Sequence, residues 1–374
     1  MQRVAARLFT GIAATNSKGL LKMKARPSAT TFRPMVVFAF LALAACAGSS
    51  TPSLAPGASV QSVAVHAEKN ATSSCLPSPC IYASTSGVEG QRSQVLTFAG
   101  NATGNVEPLG RTTGSRTQLN GPQGIAVDSS YKLYVTNASG GQILVYAAGG
   151  YGNAKPIARI TGASTGLSYA QKIAVDASGN MYVANSDNGS SSPSVTVYAA
   201  GANGNATPLQ TIAGANTGLS EAYGIAVDNT NQIYVTNVSN SSVTVYAAGS
   251  NGNVTPEQTI SGSNTGLHDP VGIALDASGD MYVANTNDSV TVYATGANGN
   301  VTPIRTITGN MTKLDSPRGV AIDATGNIYV ANGSNSSSVT VYAPGTKKNV
   351  KPIQTIKGKK TKLNGTYAWA IAVR

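Results

Sequence analysis

Residues 173–185 read Ile-Ala-Val-Asp-Ala-Ser-Gly-Asn-Met-Tyr-Val-Ala-Asn, residues 195–199 read Val-Thr-Val-Tyr-Ala, and residues 208–214 read Pro-Leu-Gln-Thr-Ile-Ala-Gly. Short runs rich in Val, Ile, Thr and Tyr, each bounded by Gly, Asn or Ser, predict four antiparallel strands, A to D. No stretch combines helical spacing with helix caps. Both alternations along strands B and C are largely apolar: Val195 and Val197 share one face, Thr196 and Tyr198 the other. Such strands belong to sheets packed on both sides by neighbours.

The unit recurs. Tyrosines 82, 134, 182, 234, 282 and 329 each centre an apolar run, at spacings of 52, 48, 52, 48 and 47 residues. A period near 50 means that one supersecondary unit is copied and that no copy buries its faces alone. Four short strands repeated radially make a propeller blade. Five copies are complete, with inner strands at Ile125, Ile173, Ile225, Ile273 and Val320, and the chain ends supply a sixth. Ile81-Tyr82-Ala83, Val95-Leu96-Thr97-Phe98 and the segment after Pro108 match strands B, C and D of a copy that has no strand A. That strand stands at the other end, as Ile371-Ala372-Val373. The expectation is an all-β, six-bladed propeller of four-stranded blades over residues 75–374, closed three plus one by the C-terminal strand, which leaves no open sheet edge.

Gly-Ile-Ala-Val-Asp (124–128), a tight turn and Ile-Tyr-Val-Ala-Asn (328–332) resemble the NHL-repeat propellers and, more loosely, the gluconolactonase-like six-bladed propellers. The resemblance covers residues 76–374. It implies the fold and leaves activity open, because such propellers include lyases, lactonases, sensors and binding modules.

Residues 1–46 carry seven Lys or Arg and no acid, and Met35–Ala45 is an apolar run of eleven residues. A bilayer span takes about 20 residues, so this run reads as the core of a secretory signal, residues 1–45. A start at Met23 gives a leader of more usual length. Leu43-Ala44-Ala45-Cys46 resembles the lipobox of bacterial lipoproteins, which implies cleavage before Cys46 and lipidation of its thiol. Ala47 stands where Asp retains Gram-negative lipoproteins at the inner membrane, so the resemblance favours the outer membrane. Residues 46–74, rich in Ser, Ala, Pro and Thr, read as a flexible tether of roughly 30 Å. Cys75 and Cys80 stand immediately before and at the first strand and, in an oxidising compartment, read as a local disulfide.

The formal charge of +11 misleads. Without the leader's seven basic residues, 19 stand against 15 acids, a net +4. From residue 345 onward there are eight basic residues and no acid. They read as a solvated basic edge, since a nucleic-acid groove would interleave Arg with aromatic residues.

Chemistry is sparse. His66 lies in the tether, so the propeller holds His268 alone, and a three-His zinc site cannot be built. Gly162-Ala-Ser-Thr-Gly166 has the letters of a nucleophile elbow without its strand-turn-helix setting or a His partner. The strand-A aspartates (128, 176, 228, 276 and 323) could ring a cation, but each precedes a tight turn whose N–H groups it can accept. The asparagines ending strand B (137, 185, 237, 285 and 332) read as loop caps. No metal or other cofactor is expected.

Function on a repeated scaffold tends to sit where copies differ. The D-to-A loops keep a leucine (119, 167, 219, 267, 314 and 363), which fits packing between blades. Beyond it the copies diverge to Gln123, Gln171, Tyr223, Val271, Arg318 and Trp369, with Lys172 replacing a Gly. These positions, with Tyr169, Glu221, His268, Asp269 and Asp315 nearby, are expected to crowd one mouth of the channel. Aromatic faces beside amides and charges suit a sugar or peptide. The sequence therefore predicts a monomeric, lipid-anchored, non-enzymatic binding or scaffold module of the cell envelope for a glycan, peptide or protein. A metal-dependent, lactonase-like hydrolase and a structural role in envelope assembly are the alternatives.

Overall fold

The computed structural model describes residues 79–87, 93–186, 192–334 and 336–374. The chain divides into Met1–Val65, none of it described, and His66–Arg374, to which everything below refers. The signal, Cys46, the tether and Cys75 lie outside the described residues. Cys80 is fully buried and disulfide-bonded.

Six four-stranded antiparallel sheets form the blades. Blade 1 consists of Cys80–Gly87, Gln94–Ala99 and Gly110–Thr112, with the C-terminal Thr366–Val373 as its inner strand. The inner strands of blades 2 to 6 are Pro122–Val127, Ala170–Val175, Ala222–Val227, Pro270–Leu275 and Pro317–Ile322. Successive inner strands touch around a closed ring, Thr366–Val373 meeting both Pro317–Ile322 and Pro122–Val127. The three-plus-one closure predicted from the sequence is the one observed: Ile81, Tyr82 and Ala83 pair with Val373, Ala372 and Ile371.

Packing follows from the two-faced strands. In blades 2 to 6 every residue of strand B is buried. Six apolar clusters occupy the six seams between blades, and each seam includes one of the D-to-A leucines. Burying a Val, Ile or Leu in such a seam contributes about 1.5–3 kcal/mol, so the ring is held by seams that no single blade possesses.

Polar repeats tie each blade internally. The strand-A aspartates form turns, not a cation ring: Asp128 Oδ1 accepts the N–H groups of Ser130 and Lys132, each at 2.9 Å, and its Oδ2 accepts the Tyr134 hydroxyl at 3.0 Å. The same pattern recurs at Asp176, Asp228, Asp276 and Asp323. The strand-B asparagines accept D-to-A loop N–H groups at 3.1–3.2 Å. On strand C, the buried hydroxyls of Tyr198, Tyr246, Tyr293 and Tyr342 donate to loop threonine carbonyls at 2.6–2.7 Å. Tyr146 does the same to Thr117.

Candidate functional site

All six inner strands carry a register shift near their first residues. In blade 2, Pro122 pairs with Asn137 and Gly124 with Thr136, so Gln123 is the extra residue of a β-bulge. Val271, Arg318 and Trp369 hold the same place in blades 5, 6 and 1. In blades 3 and 4 the shift spans Gln171-Lys172 and Tyr223-Gly224. The divergent positions are therefore the bulged ones. A bulged residue has no ladder partner and its side chain is re-aimed, which frees its identity from the sheet.

The following Gly has the opposite constraint. A Cβ on Gly124 would lie 2.5 Å from the Gln171 carbonyl oxygen, and one on Gly319 3.0 Å from Ile371 N, because neighbouring inner strands meet backbone to backbone. Lys172 stands at this position in blade 3 and sends its side chain across the channel. Its ammonium donates to the carbonyl oxygen of Gln123 in blade 2 at 2.8 Å and to that of Trp369 in blade 1. It also lies 5.3 Å from the centre of the Tyr223 ring. Burial holds the Lys172 pKa well below the usual lysine value, and the nearby Arg318 charge adds to this.

Above Lys172 the bulge residues meet. The Tyr223 hydroxyl donates to Gln123 Oε1 at 3.3 Å. The Arg318 guanidinium lies 4.3 Å over the Trp369 ring, close enough to the Tyr223 hydroxyl for its charge to act on it. Burial raises the Tyr223 pKa, with Arg318 opposing. Gly333 makes room for this arginine, since a Cβ there would sit 2.3 Å from Arg318 Cδ. The Trp369 indole N–H donates to Ser86 Oγ, and the Tyr367 ring stands 6.0 Å away, tilted by 50°. The two extra residues of this last loop add rungs to blade 1, Ser86 to Tyr367 and Gly87 to Thr366.

Below Lys172 the channel narrows. Ile125, Ile173, Ile225, Ile273, Val320 and Ile371 line it at the same strand position, around a cavity of about 60 Å³. Six β-branched side chains thus ring the waist, next to Lys172.

Of the residues singled out from sequence, Gln123, Lys172, Tyr223, Arg318 and Trp369 are joined by direct contacts. Gln171, Lys172 and Tyr223 correct the expectation of a presented face: all three are buried, at 2%, 7% and 8% exposure. Tyr169 is exposed on the rim, near enough to Tyr223 to act on its charge. His268 and Asp269 pair with each other at 3.6 Å on the rim, where Thr286 also donates to Asp269. Tyr169, Glu221 and Asp269 have φ of 47°, 54° and 42°, a left-handed backbone that costs non-Gly residues about 1–2 kcal/mol each. The bulges and this strained rim went unread, because neither has a residue signature when every copy differs.

Among the described residues, no three His, Cys, Asp or Glu side chains come together as a metal cage would require. The basic residues from 347 onward are all exposed.

The family described as "Lactonase, 7-bladed beta-propeller" matches residues 77–356. The chain belongs to this lactonase propeller family. Its departure from the family description is the blade count, six sheets here. The match ends at the last residue of blade 6's outer strand, before the closing strand. Among solved structures, a protein of unknown function from Bacteroides caccae aligns at 12% identity and TM-score 0.57, over 79% of this chain and 98% of its own. A protein from Lactobacillus plantarum aligns at 16% identity and TM-score 0.52, over 75% and 82%. A streptogramin B lyase structure aligns over 61% and 70% at 15% identity and TM-score 0.44, too low to bear on this chain. The first two likenesses show the fold alone. No curated protein matches.

Proposed function

We propose that this propeller is a binding module whose D-to-A mouth receives a small glycan or peptide. The observation that carries this reading is the meeting of bulge residues from blades 1, 2, 4 and 6 at the channel mouth. Side chains freed from the sheet and gathered on one concave, partly aromatic surface suit recognition. Cys46 lipidation and an outer-membrane location complete the proposal. They rest on the leader sequence, and Cys46→Ser should shift the protein from the membrane to the soluble fraction.

Trp369 is the only tryptophan, so its emission reports on the mouth. A glycan and peptide screen with the purified full chain should yield ligands that change this emission and weaken on Tyr223→Ala or Arg318→Ala. Binding indifferent to both substitutions would remove the site.

A second reading, lactone hydrolysis at the same mouth, is favoured by the family match. The six-bladed ring offers Arg318 to polarise a carbonyl but gathers no carboxylate cage around it. Turnover of simple lactones by the full chain, abolished by Arg318→Ala, would favour the enzyme.

A further inference from the structure

Two basic side chains stand at the mouth with no carboxylate set against them. The ion pairs among the described residues are His268 with Asp269 and Arg305 with Asp280, so neither Arg318 nor Lys172 has an ionic partner there. The rim acids are engaged elsewhere: Glu221 accepts the Ser239 hydroxyl at 2.8 Å, Asp315 that of Ser334 at 2.5 Å, and Asp269 is held by His268 and Thr286.

Arg318 is also incompletely bonded. Its Nε is buried and has no acceptor, and Gln171 Oε1 is buried and has no donor. A buried polar atom left without a partner costs about 1–3 kcal/mol. One face of the guanidinium is covered by Trp369, which holds the group in place, and its terminal N–H groups make no hydrogen bond among the described residues. A guanidinium edge presents parallel N–H groups that match the two oxygens of a carboxylate.

Other charged species fit less well. The backbone groups turned toward the axis here are carbonyls, those of Gln123 and Trp369, both capped by Lys172. A phosphate is best held by a nest of backbone N–H groups, which these two carbonyls do not supply. Around the arginine, Trp369, Tyr367 and Tyr223 supply ring faces and Gln123 an amide, the surface that suits a sugar ring and its hydroxyls.

We infer that the ligand of this mouth is an acidic sugar, a carboxylate carried on a pyranose ring, with Arg318 gripping the carboxylate and the Lys172 ammonium supplying a second positive charge beneath it. The inference rests on the mouth-binding reading above and names its ligand class. Lys172 is reached through its field and not by contact, because its ammonium is occupied by two carbonyls. Bringing a carboxylate near it favours its protonated form.

The test is a titration of the full chain with D-glucuronate and D-galacturonate, read by Trp369 emission, with D-glucose and inorganic phosphate as controls. At least one hexuronate should bind saturably, glucose at least about tenfold more weakly, and phosphate more weakly still. Arg318→Met should weaken hexuronate binding about tenfold or more, and Arg318→Lys should not restore it, since the fork is lost. Lys172→Met should weaken it less than Arg318→Met does. Thermal unfolding of each variant separates lost binding from lost fold, and Gln123→Ala provides a milder variant of the same mouth.

Glucose binding as well as a hexuronate would overturn the acidic-sugar inference and leave the mouth-binding reading standing. Phosphate binding more tightly than either hexuronate would overturn the carboxylate. No hexuronate binding while another glycan or a peptide binds through Tyr223 and Arg318 would also sink the inference alone. A mouth that responds to no glycan or peptide sinks both.

Discussion

The Tyr223 hydroxyl lies 3.3 Å from Gln123 Oε1, although the two residues stand on blades 4 and 2. In the ring of inner strands, blade 3 separates them. The bond therefore crosses the mouth, and Lys172 runs beneath it from the blade between. Bulges at equivalent places on different blades have made one cluster from residues about a hundred apart in sequence.

Tyr223→Phe removes the hydroxyl that donates to Gln123 and lies near the Arg318 charge. A typical hydrogen bond contributes about 0.5–1.5 kcal/mol net, so the variant should lose about 1 kcal/mol in urea denaturation. The ring remains, so Lys172 keeps its aromatic neighbour and the fold is retained. Unchanged stability would mean that water replaces the bond and that the cluster is not preorganised.

The strand-C tyrosines are a sharper case, because their partners are buried. Tyr246 donates to the Thr217 carbonyl at 2.6 Å with no exposure of its side chain. Tyr246→Phe leaves that carbonyl without its donor and should cost about 1–3 kcal/mol. Blade 1 already has Phe98 at this place, with Phe98 packed in the seam to blade 6. A loss near zero in Tyr246→Phe would mean that the hydroxyls only fill space.

The scaffold was readable because its signals repeat. The tyrosine spacing, the Asp turn and the loop leucine each occur five or six times, and a displaced strand A is visible once five copies define it. The site was half readable. Divergence among Gln123, Tyr223, Arg318 and Trp369 marks the right positions, but a bulge is set by pairing between strands and cannot be seen in one of them. Nor could the sequence show that Lys172 turns inward. A lysine in a glycine slot suggests exposure, whereas the open channel axis gives its chain a path and two carbonyls give its charge a place.

Removal of residues 366–374 deletes the inner strand of blade 1 and with it the contacts that join blades 6 and 2. Two seams lose their inner residues at once, and the edge of Cys80–Gly87 is bared. An exposed edge strand invites pairing with other chains. The truncated protein should aggregate, or show only non-cooperative unfolding by circular dichroism and size-exclusion chromatography. A monomer with wild-type cooperativity would mean that the ring does not depend on closure.

The rim offers a trade between stability and binding. Tyr169 holds a φ of 47°, where its counterpart in blade 2 is Gly121 at 62°. Tyr169→Gly relieves the left-handed strain of about 1–2 kcal/mol but adds the entropy cost of glycine, about 0.5–1 kcal/mol. The expected outcome is a gain of up to about 1 kcal/mol in unfolding free energy, together with weaker ligand binding at the mouth. A gain in stability with binding unchanged would place Tyr169 outside the site.

Lys172 makes a prediction about pH whose sign follows from its lowered pKa. The unfolded chain keeps this proton up to about pH 10.4, whereas the folded protein releases it at lower pH because burial, reinforced by Arg318, disfavours the charge. Between those two values the unfolded state binds more protons, so folding stability rises with pH. Buried tyrosines act oppositely: burial raises Tyr198 and Tyr246 to about 12, so their contribution is lost as pH rises above about 10. Both effects are present in the native chain, but Lys172→Met keeps the tyrosines and removes only the lysine. The difference in stability between native protein and Lys172→Met, from urea midpoints at pH 7 to 10, should therefore shift toward the native protein as pH rises. The slope is the readout, since the constant offset also contains the two carbonyls of Gln123 and Trp369 that lose their donor. A difference that stays flat across this range would mean that Lys172 keeps its ordinary pKa in the folded state, and that the carbonyl pair and the Tyr223 ring fully offset its burial.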